Sequence, residues 1–210
     1  MFDLSKDSFD AVVLGCGGDP LAQPNEHARL LRAYAQTQRA YHTTQHLAEC
    51  MAHLQLAHAE NPAEIALALW YHDAIYRPQR SDNEARSARW LSFRAQQFGI
   101  SPSCAGRLVT MILATQHGVA PLRQDLQTQL LLDIDLAILA ASPERFQEYC
   151  AQIRFEYAFV PTPVFKTKRA QVLSEFLLQQ KIYLSPIGAK FEAAARLNLS
   201  TEILNLLESK

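Results

Sequence analysis

The stretch ALALWYHDAIY at residues 66–76 decides the fold and indicates where its chemistry lies. Its first six residues are all apolar or aromatic, a pattern typical of a helix that is buried on every side. His72 and Asp73 then stand next to each other at the end of this run. An imidazole and a carboxylate are costly to bury unless they are paired or bound to a metal ion. The stretch therefore predicts a core helix that carries a polar site.

Signals for helix starts and stops recur along the rest of the chain, whereas strand-like alternation is limited to the short run 12–14. Three hydroxyl residues are each followed by proline, which suits a helix cap and the first helical position. These pairs lie at residues 101–102, 142–143 and 162–163. Ser81 and Glu84 have the spacing of a capping box, and Gly99 stands where that helix should end.

These signals predict an all-α protein. The expected helices lie at about 25–38, 42–59, 63–75, 82–98, 102–116, 124–141, 143–159, 163–180 and 190–208. Only short loops separate them, so residues 1–210 are expected to form a single domain. The glycines within 15–24 lack the Gly-Lys-Ser/Thr ending of a phosphate-binding loop, and an ordinary loop is expected there.

Composition narrows the class of protein. The 210 residues are 49% hydrophobic and 20% charged, enough for one sizeable core, and the formal net charge of −1 suggests neither a nucleic-acid nor a membrane partner. The apolar stretch 130–141 contains two aspartates and is shorter than a membrane span. The acidic N-terminal segment does not resemble a signal peptide, and the four cysteines show neither zinc-site nor disulfide spacing. We therefore expect a cytoplasmic protein with reduced thiols.

Several further side chains could join the 72–73 pair at one site. His42 and His46 are four residues apart, so they are expected on one helical face about 6 Å from each other. Asp133 and Asp135 interrupt an apolar run, and buried carboxylates of this kind usually meet a cation or several donors. Residues two positions apart on a helix point in directions that differ by about 200°, so only one of these aspartates can point into the site. Such nitrogen and oxygen ligands suit a divalent transition metal.

At this point the chain resembles the HD superfamily of metal-dependent phosphohydrolases, whose ligand order is His, His-Asp, Asp. The resemblance is closest to predicted HD phosphohydrolases that open with Tyr-His-x-x-x-His, here at 41–46. The matching segments are HDAIY (72–76), DNEARSA (82–88), ATQH (114–117), DIDLAIL (133–139), IRFEY (153–157) and FEAAARLN (191–198). They cover about 39–198. The chain departs from the pattern at Lys168-Arg169, where Gly-Arg is expected, and the 15–24 loop has no counterpart.

The resemblance implies an all-α, single-domain HD or phosphodiesterase-like bundle and assigns roles within it. The implied metal ligands are His46, His72, Asp73 and Asp135, the last because Asp135-Leu136 matches the ending of the motif better than Asp133 does. Asp73 would also bridge to a second ion. Similarity to cyclic-nucleotide phosphodiesterases makes His42 the general acid; its rival role is to orient His46.

His117 has two interpretations. It is either a ligand of a second metal or a substrate contact, as extra histidines are in some HD proteins, or a histidine placed favourably at a helix C-terminus.

The implied function is hydrolysis of a phosphate ester, such as a nucleotide, with one or two divalent ions of Mn, Mg, Fe, Co, Ni or Zn. The partner is then a small-molecule phosphate ester. Arg39, Arg154 and Arg169 are candidates for phosphate contacts, since a guanidinium matches phosphate oxygens; each is otherwise a surface or salt-bridge residue. Three alternatives are a di-iron oxygenase of HD-like fold, a non-catalytic nucleotide-binding regulatory domain and an inert helical protein.

Overall fold

The computed structural model describes residues 1–116 and 125–208. Within these residues the chain is all-α, with ten α-helices and no strand, which confirms the predicted fold class. The α-helices are α1 Lys6–Gly15, α2 Glu26–Tyr34, α3 Thr44–Gln55, α4 Pro62–His72, α5 Asn83–Phe98, α6 Pro102–Ala114, α7 Leu126–Asp135, α8 Pro143–Glu156, α9 Thr162–Leu178 and α10 Glu192–Glu208. Short 3-10 turns lie at Pro20–Ala22, Leu136–Ala140 and Gly188–Phe191. No helix of the described ranges is both long and apolar enough to cross a membrane.

Helix α4 is the centre of the fold. Residues 65–72 are each exposed by 1% or less, and the helix packs against α1, α3, α5, α6 and α7. A helix that is apolar all round is stable only when other elements cover all its faces. The apolar stretch 66–76 therefore explains why these five helices surround α4. His72 is the last residue of this buried helix.

The buried side chains form two clusters that meet beside the end of α4. The first cluster draws on helices α1 to α7, and the second on the 136–140 turn and helices α8 to α10. The chain passes from one cluster to the other between Ile134 and Ile138, so Asp135 lies at the junction. Tyr41, which precedes α3, belongs to the second cluster, whereas Leu47, in the first turn of α3, belongs to the first.

Several predicted helix boundaries are confirmed. The Ser101 and Ser142 side chains accept hydrogen bonds from the backbone N–H groups of Cys104 and Arg145, as expected for caps followed by proline. Gly99 ends α5 with φ of 78°, in the left-handed region that glycine enters at little cost.

Other local predictions are wrong. Helix α9 begins at Thr162 itself, after Pro161, so Thr162 is not a cap. The capping box at residues 81–84 is also wrong, because α5 is preceded by Asp82, whose carboxylate pairs with Arg80 and Arg86 instead of capping the helix.

Two segments have a secondary structure that differs from the one predicted. The run 12–14 lies in helix α1, which the sequence analysis missed: Phe9, Val12 and Val13 are buried at helical spacing while Leu14 is exposed. The helix expected at about 124–141 ends at Asp135 and continues as the 3-10 turn. The prediction of free thiols is confirmed, since all four cysteines are unpaired and three of them are buried.

A buried carboxylate ties α2 to α4 and α5. Glu26 accepts hydrogen bonds from the Tyr71 hydroxyl at 3.0 Å and the Trp90 indole N–H at 2.7 Å, and its Oε2 lies 3.0 Å from Nε of Arg94. Removal of this side chain takes away the acceptor of the tyrosine and tryptophan donors and the ion pair of Arg94.

We predict that Glu26→Ala lowers the free energy of unfolding by about 3–5 kcal/mol, because it leaves the Tyr71 hydroxyl and the Trp90 N–H without this acceptor and the half-buried Arg94 without its ion pair. Chemical denaturation measures the change. The control Glu60→Ala, at an exposed position, should stay within about 0.5 kcal/mol of the wild type. Equal effects of the two substitutions would contradict this role of Glu26.

Candidate metal centre

Four side chains from three helices converge at the junction of the two clusters. His46 comes from α3, His72 and Asp73 from the end of α4, and Asp135 from the end of α7. Nε2 of His46 lies 3.1 Å from Nε2 of His72 and 3.1 Å from Oδ1 of Asp135. Nε2 of His72 lies 3.0 Å from Oδ2 of Asp73 and 3.4 Å from Oδ1 of Asp135. The structure thus brings together the four residues expected from the sequence.

The distances from the two imidazole nitrogens are close to those in the ligand shell of one divalent ion. With metal–ligand bonds of about 2.0–2.2 Å, adjacent ligands of a tetrahedral or octahedral ion lie about 2.8–3.6 Å apart. The distance between the two imidazole nitrogens and their distances to the two carboxylate oxygens run from 3.0 to 3.7 Å. Imidazole nitrogens and carboxylate oxygens are donors that transition metals accept. His46, His72 and Asp73 form one group of side chains that could hold a metal ion, and Asp135 lies against both of its histidines.

The orientation of His72 also suits a ligand. Its Nδ1 lies 2.7 Å from the backbone carbonyl of Leu69, so this nitrogen donates and Nε2 keeps its lone pair toward the other three groups. A histidine that binds metal usually donates its other N–H in this way, which fixes the ring. Helix α4 supplies both the ligand and the carbonyl that orients it.

The charges at this point attract a cation. Burial opposes ionisation of Asp73 and Asp135, but the neighbouring imidazoles hold the pKa of both carboxyls below the usual range. Burial likewise opposes a charge on His72, yet Asp73 and Asp135 raise the pKa of its imidazole. In the described part of the chain, the ion pairs of the two carboxylates are all with His46 or His72. The two carboxylates thus draw positive charge here, as protons or as a metal ion.

The contacts of Asp133 decide which of the two aspartates belongs to the candidate metal site. Its carboxylate accepts hydrogen bonds of 2.7 Å from the backbone N–H groups of both Leu184 and Ser185. It fixes the segment before the 188–191 turn and lies outside the group of four. Asp135 is the aspartate that the structure places beside His46 and His72.

His42 is near the group of four but not where the spacing predicted. Helix α3 begins at Thr44, because the Thr43 side chain caps it by accepting a hydrogen bond from the N–H of Gln45. His42 therefore precedes the helix, and the expectation that it shares a helical face with His46 is wrong. The two rings are still close, with centroids 6.2 Å apart.

Glu156 holds His42 in place, although it was not among the site residues predicted from the sequence. Its Oε2 lies 2.7 Å from Nδ1 of His42 and accepts a 2.9 Å hydrogen bond from the Tyr76 hydroxyl. Its Oε1 accepts the backbone N–H groups of residues 40, 41 and 42. Burial opposes the charge, but His42 and these N–H groups lower the pKa of Glu156 to about 2. The available signal was the glutamate inside the IRFEY segment.

Cys50 is a second neighbour that the sequence analysis missed. It lies one turn after His46, and its Sγ is 3.7–3.8 Å from the two ring nitrogens. His46, Cys50 and Asp135 form another group of side chains that could hold a metal ion. The four-residue spacing from His46 was the signal that could have indicated it.

A cavity of about 490 Å³ lies beside the group of four, and Asp73, Asp135 and His42 line it. The part of the cavity at these three side chains is called its inner end. A smaller cavity of about 210 Å³ has His46 and Asp135 in its wall. Asp135 thus lines two cavities, of which the larger can admit a small organic molecule.

The three candidate arginines have different surroundings. Arg39 donates to the backbone carbonyls of His42, Asp73 and Ala74, so its guanidinium is committed to holding the turn after α4. Arg154 donates to the carbonyls of Tyr157 and Val160. Neither lies on the wall of the larger cavity, which argues against both as phosphate contacts.

Arg169 is the candidate arginine that lines the cavity, and it donates a 2.7 Å hydrogen bond to the Tyr149 hydroxyl. Lys168 lines the cavity as well. The last predicted site residue, His117, lies outside the described residues.

No protein-family model, curated protein or solved structure matches the chain. Its described residues form an all-α fold in which His, Cys and Asp side chains could hold a metal ion.

We predict that His72→Ala and Asp135→Asn lose most of the metal that the wild-type protein binds, because each removes one of four converging ligands. Plasma emission spectrometry of protein purified without chelator measures the metal per chain. The matched controls are His58→Ala, an exposed histidine, and Asp133→Asn, which keeps one acceptor oxygen but leaves one backbone N–H unpaired and should cost about 1–3 kcal/mol of stability. Metal loss in Asp133→Asn but not in Asp135→Asn would mean that the ligands are assigned wrongly.

Proposed function

We propose that this chain is a metal-dependent phosphohydrolase of the HD superfamily, which cleaves a phosphate ester with water. The observation that carries the proposal is the convergence of His46, His72, Asp73 and Asp135, of which the two aspartates line a cavity. These residues follow the chain order His, His-Asp, Asp of that superfamily. The family motifs thus coincide with the side chains that meet in space.

The four ligands would hold a divalent ion, with Mn, Mg, Fe, Co, Ni and Zn as candidates. The site would bind one ion or two. When bound, such an ion polarises a phosphoryl oxygen and makes hydroxide available near neutral pH. Asp73 would be a ligand of the first ion and, if two ions are bound, a ligand of the second as well. The chain's other residues would bind and orient the ester.

His42 would donate the proton to the leaving oxygen. Its Nδ1 is held by Glu156, its ring stacks on Tyr76 at 3.8 Å, and it lines the cavity beside Asp73. A fixed imidazole that faces a substrate cavity is a suitable general acid near pH 7. Glu156 would act through His42 as a positioning residue.

Arg169 and Lys168 would bind the phosphate oxygens of the substrate. Both line the cavity on α9, and neither forms an ion pair with a carboxylate of the described residues. We propose a small-molecule substrate, because two of the ligands lie at the inner end of a cavity and the net charge of −1 provides no excess of basic residues for a nucleic acid.

The direct test is phosphate release from a panel of nucleotides and other phosphomonoesters, measured with each candidate metal in turn. We predict turnover that a chelator abolishes and a divalent ion restores, and that is lost in Asp135→Asn but kept in Asp133→Asn. Tight binding of esters without turnover at any metal would contradict the proposal and favour a regulatory domain. Oxygen uptake by iron-loaded protein, without phosphate release, would favour an oxygenase.

A second prediction concerns His42. His42→Ala should keep its metal, because the other four side chains supply the ligands. It should lose activity on alkyl phosphates at least tenfold more than on nitrophenyl phosphate, whose leaving group needs little protonation. Loss of metal in this variant would mean instead that His42 is a ligand or orients His46.

A further inference from the structure

The larger cavity has two parts of different chemistry. Its inner end carries Asp73, Asp135 and His42. A second part of its lining, the aromatic wall, has aromatic and aliphatic side chains from α8, α9 and the turn between them; these are Ile153, Tyr157, Val160, Phe165, Val172 and Phe176. Polar side chains line the cavity as well, among them Arg80, Asn83 and Glu84. The part of a ligand that reaches the aromatic wall would meet apolar groups.

Helix α9 explains why apolar side chains face this space. Phe165, Arg169, Val172 and Phe176 recur at three- to four-residue spacing, so they share one face of the helix. This face lines the cavity and is partly open to water: Val172 is 40% exposed, while Phe165 and Phe176 are half-buried against the second cluster. Apolar area that stays in contact with water gives a favourable free energy when a ligand covers it.

The volume of the cavity exceeds what phosphate needs. A phosphate group displaces on the order of three water molecules, or about 100 Å³. The cavity holds about 490 Å³, so most of it is left for the organic half of an ester. A substrate that filled only the inner end would leave the aromatic wall wet.

The wall suits a flat ring better than a flexible chain. The rings of Tyr157 and Phe165 lie 6.3 Å apart at 44°, which forms an angled corner of two aromatic faces. Aromatic rings pack edge to face in such corners with more energy than their buried area alone provides. The guanidinium of Arg154 lies 4.7 Å over the Phe165 ring and holds it in place, since cations favour aromatic faces. The guanidinium of Arg169 lies 5.1 Å over the Tyr149 ring, which also lines the cavity. A rigid ring also loses less conformational entropy on binding than an alkyl chain.

We infer that the substrate is a phosphate ester whose organic half carries an aromatic ring, which lies against Tyr157 and Phe165. The inference rests on the proposed function for the hydrolytic step, but the ring-binding wall can be tested without turnover. Phe165 and Tyr157 are then specificity-determining residues. They select the organic half and leave the phosphate to the inner end of the cavity.

The test compares phenylphosphonate with methylphosphonate, two analogues without a cleavable ester, by calorimetry on manganese-loaded protein. We expect phenylphosphonate to bind at least tenfold more tightly. Phe165→Ala should reduce this preference at least fivefold while the affinity for methylphosphonate changes less than twofold. The matched control is Phe159→Ala, since Phe159 packs 5.9 Å from the Tyr157 ring but is 51% exposed and off the cavity wall. This control should keep the full preference.

A second variant covers the case in which Phe165→Ala does not fold, as judged by circular dichroism. Val172→Asn, at a partly exposed position of the same wall, should also lower the preference for phenylphosphonate. Equal binding of the two phosphonates, binding of neither, or a preference unchanged in the wall variants would overturn the inference. Failure of the proposed function looks different, because no ester would then be hydrolysed even though the preference for phenylphosphonate remained.

Discussion

The whole arrangement depends on the burial of two imidazoles and two carboxylates at one point. Ionised groups are costly to move out of water, and they stay buried only when opposite charge and hydrogen bonds compensate. Here each carboxylate faces both imidazoles, and His72 is anchored to a backbone carbonyl. A divalent ion would complete this compensation better than protons, because it can satisfy all four atoms at once.

The fold meets this constraint by using helix ends. His72 and Asp73 lie where α4 stops, and Asp135 lies where α7 changes into a 3-10 turn. At these positions side chains from different helices can approach one another without opening the hydrophobic clusters. Arg39 and Glu156 then fasten the surrounding backbone: Arg39 binds the carbonyls after α4, and Glu156 binds the N–H groups before α3. Removal of either side chain would leave the backbone around the four candidate ligands less firmly held.

The conflict between burial and charge in the chain indicated His72, Asp73 and one of two aspartates, whereas His46 and the choice of Asp135 came from the resemblance to metal-dependent phosphohydrolases. His72-Asp73 and Asp135 interrupt apolar runs, and this conflict needs no knowledge of the fold. Features that depend on a local hydrogen bond were harder to predict. Thr43 caps α3 and leaves His42 outside the helix, and Asp82 pairs with arginines instead of capping α5. The direction of long side chains depends on tertiary packing, so the sequence could not tell that Arg39 is committed to backbone while Arg169 lines the cavity.

The most direct measurement is an anomalous difference map from crystals grown with manganese. The account predicts one strong peak about 2.0–2.3 Å from Nε2 of His46, Nε2 of His72, Oδ2 of Asp73 and Oδ1 of Asp135. A second, weaker peak next to Asp73 would be compatible with two ions. Manganese bound elsewhere on the chain, with these four side chains hydrogen-bonded only to one another, would contradict the account.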